Sequence, residues 1–259
     1  MLVLALETST SSVKAMLYDG ALGVVAAETE AYAPDVAQDG TQDAEAVYLA
    51  LLRAGRRVAE GRAVEAVALG STWHSVCVCG GDMRPVTPVY TWEYAAAAPK
   101  SREMRGDAAL AEALYRSTGC MPNVTYPRQT LLYLRDQGLR LQGRHAVTQG
   151  GYCFLRMTGE FAETVNLQSG GGFIRLTDKT YDPLVLELLG MDARQFGQLV
   201  TLEDTAPLGE EAANAMGIPP GIPVVPAHSD GACSQAGSGC GGPREMTLSV
   251  GTSGAIRMV

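Results

Sequence analysis

Two turns rich in small and hydroxyl residues, near opposite ends of the chain, contain the residue types best suited to bind phosphate. Glycine lets the backbone approach a ligand closely, and the amides and hydroxyls of such turns are hydrogen-bond donors. The candidate phosphate-binding residues are Thr10, Ser11, Ser12 and Lys14 at the first turn and Gly251, Thr252 and Ser253 at the second. Either turn alone is better explained as an ordinary polar turn or hairpin loop, but the pair together favours a phosphate site.

Two carboxylates could act beside these turns. Asp230 follows a short apolar run at 224–227 and precedes small residues that predict a helix. Ligands bind at strand ends in open α/β sheets, so Asp230 could accept the proton of a substrate hydroxyl, or it could cap the following helix. Glu7, together with Asp230, could hold Mg²⁺ through water. These parts are the minimum needed to move a phosphoryl group onto a hydroxyl.

Aromatic residues follow two further apolar segments. They are Trp73 with His74, and Trp92 with Tyr94. Aromatic faces stack on the carbons of sugars while their polar edges bond to hydroxyls, so the four residues predict a sugar pocket that includes Asp230. The alternative is a core tryptophan beside a satisfied histidine, and that alternative is favoured when each pair is taken by itself.

Length and composition restrict the class of protein. The 259 residues have a net charge of −8, with 46% apolar and 19% charged residues, which is ordinary for a folded globular chain. An acidic chain is a poor binder of nucleic acid or of anionic membranes. We expect neither a membrane helix nor a signal peptide. The six cysteines fit no zinc pattern and predict a cytoplasmic protein with reduced thiols.

Apolar periodicity predicts an α/β fold. Strands are expected at 3–6, 13–18, 24–30 and 64–69, with a helix at 43–59 capped by Asp43. The order strand–strand–strand–helix–strand predicts a mixed sheet. Further helices are expected at 107–115, 127–137, 151–157, 182–189 and 210–216, a strand at 224–227, and a hairpin of 246–250 with 255–259. We predict one domain with a helical insert, and a strand at the last residue suggests that more chain originally followed.

In this order the motifs resemble the N-terminal half of the FGGY family of carbohydrate kinases, in the actin–hexokinase–heat-shock ATPase superfamily. Residues 6–19 resemble the family's first phosphate motif and residues 250–257 its second. Residues 229–231 with 237–239 resemble the segment that carries the family's catalytic aspartate. Residues 152–159 resemble a structural segment of the family that precedes its mid-domain helices. His74-Ser75 and the string at 251–257 look most like gluconate kinases, with xylulose kinases as the near alternative.

The resemblance implies a ribonuclease-H-like mixed sheet flanked by helices, with a helical insert. Residues 1–259 would form the sugar-binding domain, and a C-terminal ATPase domain would be absent from the chain. The implied reaction is ATP-dependent phosphorylation, with Mg²⁺, of a hydroxyl of an open-chain sugar or sugar acid. The implied roles are Asp230 as base, Glu7 near Mg²⁺, Thr10, Lys14, Gly251 and Thr252 around the phosphates, and His74, Trp92 and Tyr94 in the sugar pocket.

Three departures from the family pattern support a second hypothesis. Glu7 stands where the family usually has aspartate, and Ser9 stands where it usually has glycine. The family's Trp-x-Asp-x-Arg motif begins at Trp92 but lacks its carboxylate and guanidinium. The alternative is therefore a catalytically degenerate sugar-binding or interaction module. The isolated domain is expected to be inactive, and its uncovered cleft face could form a homodimer.

Overall fold

The computed structural model describes residues 1–250 and 254–258. The strands are β1 (Val3–Thr8), β2 (Ser12–Tyr18), β3 (Val24–Ala31), β4 (Ala37–Gln38), β5 (Thr41–Gln42), β6 (Ala66–Ser71), β7 (Cys77–Cys79), β8 (Val89–Tyr90), β9 (His145–Val147), β10 (Ala162–Thr164), β11 (Gln198–Val200), β12 (Ala206–Pro207), β13 (Pro223–Ser229), β14 (Met246–Val250) and β15 (Gly254–Met258). The helices are α1 (Ala44–Ala59), α2 (Ala98–Gly106), α3 (Ala108–Thr118), α4 (Pro127–Asp136), α5 (Gln149–Thr158), α6 (Val165–Gly170), α7 (Pro183–Leu189), α8 (Glu210–Met216) and α9 (Asp230–Gly237).

The largest sheet within the described residues has six strands in the order β12-β13-β6-β1-β2-β3. The first three strands form an antiparallel meander, and β6 and β13 then extend the sheet in parallel from β1. This confirms the predicted mixed sheet. Because β1, β6 and β13 run in parallel, their carboxyl ends meet at one edge of the sheet, where ligands bind in open α/β folds.

One face of this sheet is packed against α1. In β1 and β2 every second residue is buried, including Leu4, Leu6, Val13 and Leu17, as the alternation of a strand requires. Helix α1 begins where predicted, because the Asp43 side chain accepts a hydrogen bond from the backbone N–H of Ala46. The opposite face of β1 and β2 is only half-buried, and it forms the floor of the candidate site.

A second group of buried side chains lies in the helical insert. It includes Leu114, Leu131, Phe173 and Phe196 from the segments between α3 and the residues after α7. Arg128 is fully buried there, and its guanidinium donates to the carbonyl oxygens of Cys120 at 2.9 Å and Gly172 at 3.1 Å. These bonds hold the loop before α4 against the end of α6.

Several elements were not predicted from the sequence. Helix α2 buries only Ser101 and Met104, so it lacks the apolar stripe on which a sequence-based prediction depends. Helix α6 has only six residues, and the Thr164 side chain caps its first turn. The final hairpin, β14 with β15, is confirmed over the described residues. Within those residues no helix combines the length and apolarity that crossing a membrane would require.

Candidate functional site

An open cleft of about 540 Å³ lies against the half-buried face of β1, β2 and β6. Its lining includes two carboxylates and two cations, which are Glu7, Lys14, Asp230 and Arg257. They come from four different elements: β1, β2, the start of α9 and β15. The structure thus brings together three residues that the sequence analysis selected and one, Arg257, to which it gave no role.

The register of the first hairpin places Glu7 opposite Lys14. Lys14 Nζ lies 3.3 Å from Glu7 Oε1 and 3.4 Å from Oε2, and Ser9 Oγ donates to Glu7 Oε1 at 2.6 Å. Both side chains of the ion pair are partly exposed, so solvent screens their attraction. A ligand can therefore compete for either charge at small cost.

The turn that contains Thr10 and Ser11 is stabilised by hydrogen bonds from the side chains of Gln42 and Trp92. Gln42 is buried, and its Nε2 donates to the carbonyl oxygens of Ser9 at 3.0 Å and Thr10 at 2.9 Å. Trp92 Nε1 donates to Thr10 Oγ1 at 3.2 Å. Ser12 is the first residue of β2, and its carbonyl accepts from Ser9 N–H at 2.9 Å to close the turn. Sequence reasoning missed Gln42, because only the folded chain brings it under the turn.

Asp230 is the first residue of α9, directly after β13. The alternative that Asp230 caps this helix is wrong, because the capping side chain is that of Ser229, which accepts from Ala232 N–H at 3.2 Å. Asp230 Oδ1 instead accepts from the N–H of Gly231 at 2.7 Å and from the N–H of Trp73 at 3.3 Å. The carboxylate is thus oriented by the segment that follows β6.

Trp73 and His74 form a stacked pair next to Asp230, with ring centroids 4.8 Å apart. His74 has a φ of 57°, a left-handed backbone that costs free energy outside glycine and is typical of functional sites. Its Nδ1 lies 2.6 Å from the Gly170 carbonyl oxygen, to which it donates, so Nε2 is the acceptor in the neutral ring. Burial lowers the pKa of His74, which keeps the ring neutral near pH 7.

The other two predicted sugar-binding residues lie in the segment after β8, and Trp92 is hydrogen-bonded to the first turn. Trp92 is 37% exposed and follows β8 in a turn. The Tyr94 ring packs on Tyr90, with centroids 4.5 Å apart, and the Tyr94 N–H donates to the Thr91 carbonyl. A polar hollow of about 440 Å³ lies alongside, and its lining includes Thr10, Ser11 and Glu93. Tyr126, which sequence reasoning missed, packs edge-on against His74 with centroids 5.4 Å apart.

The second turn, Gly251, Thr252 and Ser253, lies outside the described residues. Strand β15 after it brings Arg257 into the cleft, where its Nε lies 3.2 Å from the position that a Cβ would occupy on Gly231. The sequence does contain a signal that points to Arg257, because the two hairpins share one pattern. In the sequence, each of the two small-residue segments is followed by a strand with one basic residue, Lys14 or Arg257, and both basic residues line the same cleft.

The donor set in the cleft fits a nucleotide-bound magnesium ion better than a metal centre made by protein alone. The described residues contain no group of three or more His, Cys, Asp or Glu side chains placed to hold a metal. Mg²⁺ commonly binds one or two carboxylates and completes its shell with phosphates and water. Glu7 and Asp230, two carboxylates that line one cleft, match that requirement.

Comparison with known proteins adds independent information. Residues 2–237 match the FGGY family of carbohydrate kinases, N-terminal domain. The chain is 25% identical to a gluconokinase of Bacillus subtilis over 99% of its own length, and 26% identical to a xylulose kinase of Streptomyces coelicolor over 89%. It covers 52% and 53% of those two proteins, so it spans about half the length of the curated relatives it matches. The structure superposes on a gluconate kinase of Lactobacillus acidophilus with a TM-score of 0.93 at 22% identity, covering 99% of this chain and 54% of that chain.

Proposed function

The chain belongs to the FGGY family of carbohydrate kinases as an N-terminal domain, and we propose that it forms the sugar-binding half of an ATP-dependent kinase. The substrate is an open-chain sugar or sugar acid, of the gluconate or xylulose type named for the relatives. The observation that carries the proposal is the position of Asp230. Its carboxylate lines the same cleft as Lys14 and Arg257, and the N–H of the residue before His74 holds it in place.

Asp230 acts as the base that receives the proton of the attacking hydroxyl. Phosphoryl transfer has a loose transition state, so the proton leaves late and an ordinary carboxylate suffices. The hydrogen bonds from Gly231 and Trp73 both reach Oδ1. This leaves Oδ2 as the oxygen that faces the substrate hydroxyl.

The phosphates of ATP lie between the two hairpins. Lys14 and Arg257 supply positive charge, and the amides and hydroxyls of Thr10, Ser11 and Ser12 supply donors on one side. From the sequence resemblance alone, Gly251, Thr252 and Ser253 would also bind phosphate. Glu7 and Asp230 would hold Mg²⁺, directly or through water, and the ion would supply positive charge to the transferred group. When a ligand is bound, Lys14 exchanges part of its contact with Glu7 for phosphate oxygen.

The sugar lies beside His74, Trp73 and Tyr126, within reach of Asp230. His74 Nε2 accepts a hydrogen bond from a sugar hydroxyl, and the neutral ring avoids the cost of a buried charge. Trp92 and Tyr94 extend the pocket toward the first turn. Because Trp92 also bonds to Thr10, it joins the sugar pocket to the phosphate site.

Efficient turnover requires a second domain that corresponds to the other half of the relatives. That domain supplies the remaining part of the ATP site and closes over the cleft. We place the activity in the cytoplasm, since the six cysteines are free thiols and the relatives are bacterial sugar kinases. A homodimer of the isolated domain, formed through the open cleft face, stays a prediction that sedimentation can test.

One observation favours the alternative of a degenerate binding module. Glu7 and Lys14 pair with each other, so the carboxylate assigned to Mg²⁺ and the cation assigned to phosphate are mutually neutralised. A sugar-binding module that has lost catalysis would tolerate such a pair. In that case the chain binds sugar, but Mg-ATP does not change the sugar affinity.

Calorimetric titration tests the proposal on the chain itself. The panel is gluconate, xylulose, ribulose, glycerol and erythritol, each with and without Mg-ATP. The proposal expects saturable binding of one sugar or sugar acid, tightened by the nucleotide. The same titration with Asp230→Asn should retain sugar binding. A folded chain that binds none of the panel would refute the assignment, and binding that Mg-ATP leaves unchanged would favour the degenerate module.

A further inference from the structure

Asn166 contacts both segments that determine where the Asp230 carboxylate lies. Its Oδ1 accepts from the backbone N–H of Ser229 at 2.8 Å, and its carbonyl oxygen accepts from Trp73 Nε1 at 3.1 Å. The N–H of Trp73 in turn donates to Asp230 Oδ1 at 3.3 Å. Since Asp230 follows Ser229 in the chain, Asn166, Ser229, Asp230 and Trp73 form a closed hydrogen-bonded circuit.

The helix that contains Asn166 is itself fixed to the sheet. Thr164 Oγ1 donates to the Ala227 carbonyl of β13 at 2.7 Å and accepts from Leu167 N–H at 3.2 Å. At the other end of α6 the Gly170 carbonyl accepts from His74 Nδ1 at 2.6 Å. Helix α6 therefore holds His74 at one end and the Ser229–Asp230 junction at the other.

We propose that Asn166 is a positioning residue that fixes the Asp230 carboxylate relative to His74. This rests on the proposed function, in which Asp230 accepts the hydroxyl proton and His74 binds the sugar. Asn166 touches no reacting group in the circuit. It acts through the Ser229 N–H, which starts the turn into α9, and through the indole of Trp73, whose backbone N–H orients the carboxylate.

An amide suits this position for a physical reason. The backbone N–H of Ser229 needs the side-chain oxygen Oδ1 of Asn166 as its acceptor, whereas the indole N–H of Trp73 donates to the backbone carbonyl oxygen of the same residue. If the side-chain acceptor is removed, the backbone N–H of Ser229 is left unpaired, which costs free energy. The backbone then moves to find another acceptor, and this movement rotates the Ser229–Asp230 junction.

The chain offers a spectroscopic readout, because it contains two tryptophans and both lie at the site. In a nitrogen–proton correlation spectrum their indole signals report on Trp73 bonded to Asn166 and on Trp92 bonded to Thr10. The test compares Asn166→Leu, which removes the side-chain acceptor, with Asn166→Asp, which keeps it. Asn214→Leu is the matched control, since Asn214 is exposed on α8.

Asn166→Leu should shift the backbone amide signals of Ser229, which loses its acceptor, and of Trp73, whose N–H donates to the Asp230 carboxylate, while the Trp92 indole signal stays in place. The affinity for the sugar that binds best in the panel should fall by up to about tenfold, the scale of one lost hydrogen bond. Asn166→Asp should keep the wild-type Trp73 signals, and Asn214→Leu should change neither the spectrum at the site nor the affinity.

Unchanged Trp73 and Ser229 amide signals in Asn166→Leu would overturn the proposal. A loss of sugar affinity in Asn166→Asp equal to that in Asn166→Leu would also overturn it. If Asn166→Leu does not fold, Asn166→Ala is measured in the same way, because it removes the acceptor without adding bulk. Failure of the proposed function is separate. If the wild-type chain binds no sugar, that function is refuted, while the amide signals still decide whether Asn166 positions Asp230.

Discussion

Trp92 Nε1 and Thr10 Oγ1 are joined by a hydrogen bond of 3.2 Å, which connects the segment after β8 to the first turn. The same segment is anchored on its other side, where the Gly40 carbonyl accepts from both the N–H and the hydroxyl of Thr91. An aromatic side chain predicted to line the sugar pocket therefore touches a hydroxyl predicted to bind phosphate. In this structure a ligand that moves Trp92 also acts on the turn.

A double-mutant cycle measures this link. Trp92→Phe removes the donor and Thr10→Val removes the acceptor, and we expect the two changes in unfolding free energy to couple by about 1 kcal/mol. Chemical denaturation followed by circular dichroism provides the free energies. Thr29→Val, on the exposed side of β3, should combine additively with Trp92→Phe. Coupling no larger than in that control pair would mean that the hydrogen bond contributes nothing.

The two cations of the cleft should both contribute to nucleotide binding. Lys14→Gln and Arg257→Gln each remove one positive charge from the phosphate site, and each should weaken Mg-ADP binding by about tenfold or more. Lys14→Gln also leaves the Glu7 carboxylate without its lysine partner, so added negative charge in the cleft contributes to its effect. Titration calorimetry gives the affinities. Arg244→Gln, on an exposed residue, controls for net charge, and an Arg257→Gln effect equal to that control would exclude Arg257 from the site.

Gly170 should tolerate no side chain. A Cβ at this position would overlap the indole of Trp73, so Gly170→Ala must displace either α6 or the Trp73–His74 segment. We expect a loss of stability of about 1–3 kcal/mol, the usual cost of overpacking, together with weaker sugar binding. Gly106→Ala is the matched control, because a Cβ at the end of α2 meets no atom within 4 Å. Equal melting temperatures for the two variants would show that the packing is looser than described.

Glu163 should make stability fall as the pH rises. Burial raises the pKa of Glu163 to about 7, against the opposing hydrogen bonds from the N–H and hydroxyl of Thr148. The folded chain therefore holds a proton that the unfolded chain, with a glutamate pKa near 4.5, has released. The stabilisation is complete below pH 4.5 and is lost as the pH passes through 7, with a total on the order of 3 kcal/mol.

Glu163→Gln is permanently neutral and should lack this fall. Denaturation curves at intervals between pH 4.5 and 8 would show the unfolding free energy of the wild type declining relative to that of the variant. Glu160→Gln, an exposed glutamate after α5, sets the baseline for removing one negative charge. Parallel wild-type and Glu163→Gln curves would contradict a raised pKa at this buried carboxyl.

Strong local signals made most of the fold predictable. The meander, α1 with its Asp43 cap, and α8, which ends before Gly217, combine clear periodicity with recognisable start or stop residues. The short strands β4 to β5 and β7 to β12 have no comparable signal, because they exist only through pairing with distant segments. The chosen family and the mixed sheet with flanking helices are confirmed.

The site was harder to predict because its precision comes from contacts between distant parts of the chain. Glu7 and Asp230 were selected by residue type, but the bond that orients Asp230 comes from Trp73, 157 positions earlier. Asn166 lies in a short helix without a periodic pattern. Arg257 is the final residue of the string at 251–257, and the sequence alone gave it no role of its own. The roles of all these residues, including Gly251, Thr252 and Ser253, stay predictions.

Phosphoryl transfer tests the central claim most directly. The chain is fused to the C-terminal half of a gluconokinase relative, and the fusion is first shown to bind Mg-ADP. The formation of ADP from ATP is then measured with each sugar of the panel. We expect one sugar or sugar acid to be phosphorylated. Asp230→Asn should lower the rate by about 10²–10⁴-fold, the range for a positioned base, while sugar affinity stays within about threefold. A fusion that binds Mg-ADP but phosphorylates no sugar, or that works equally well with Asp230→Asn, would contradict the account.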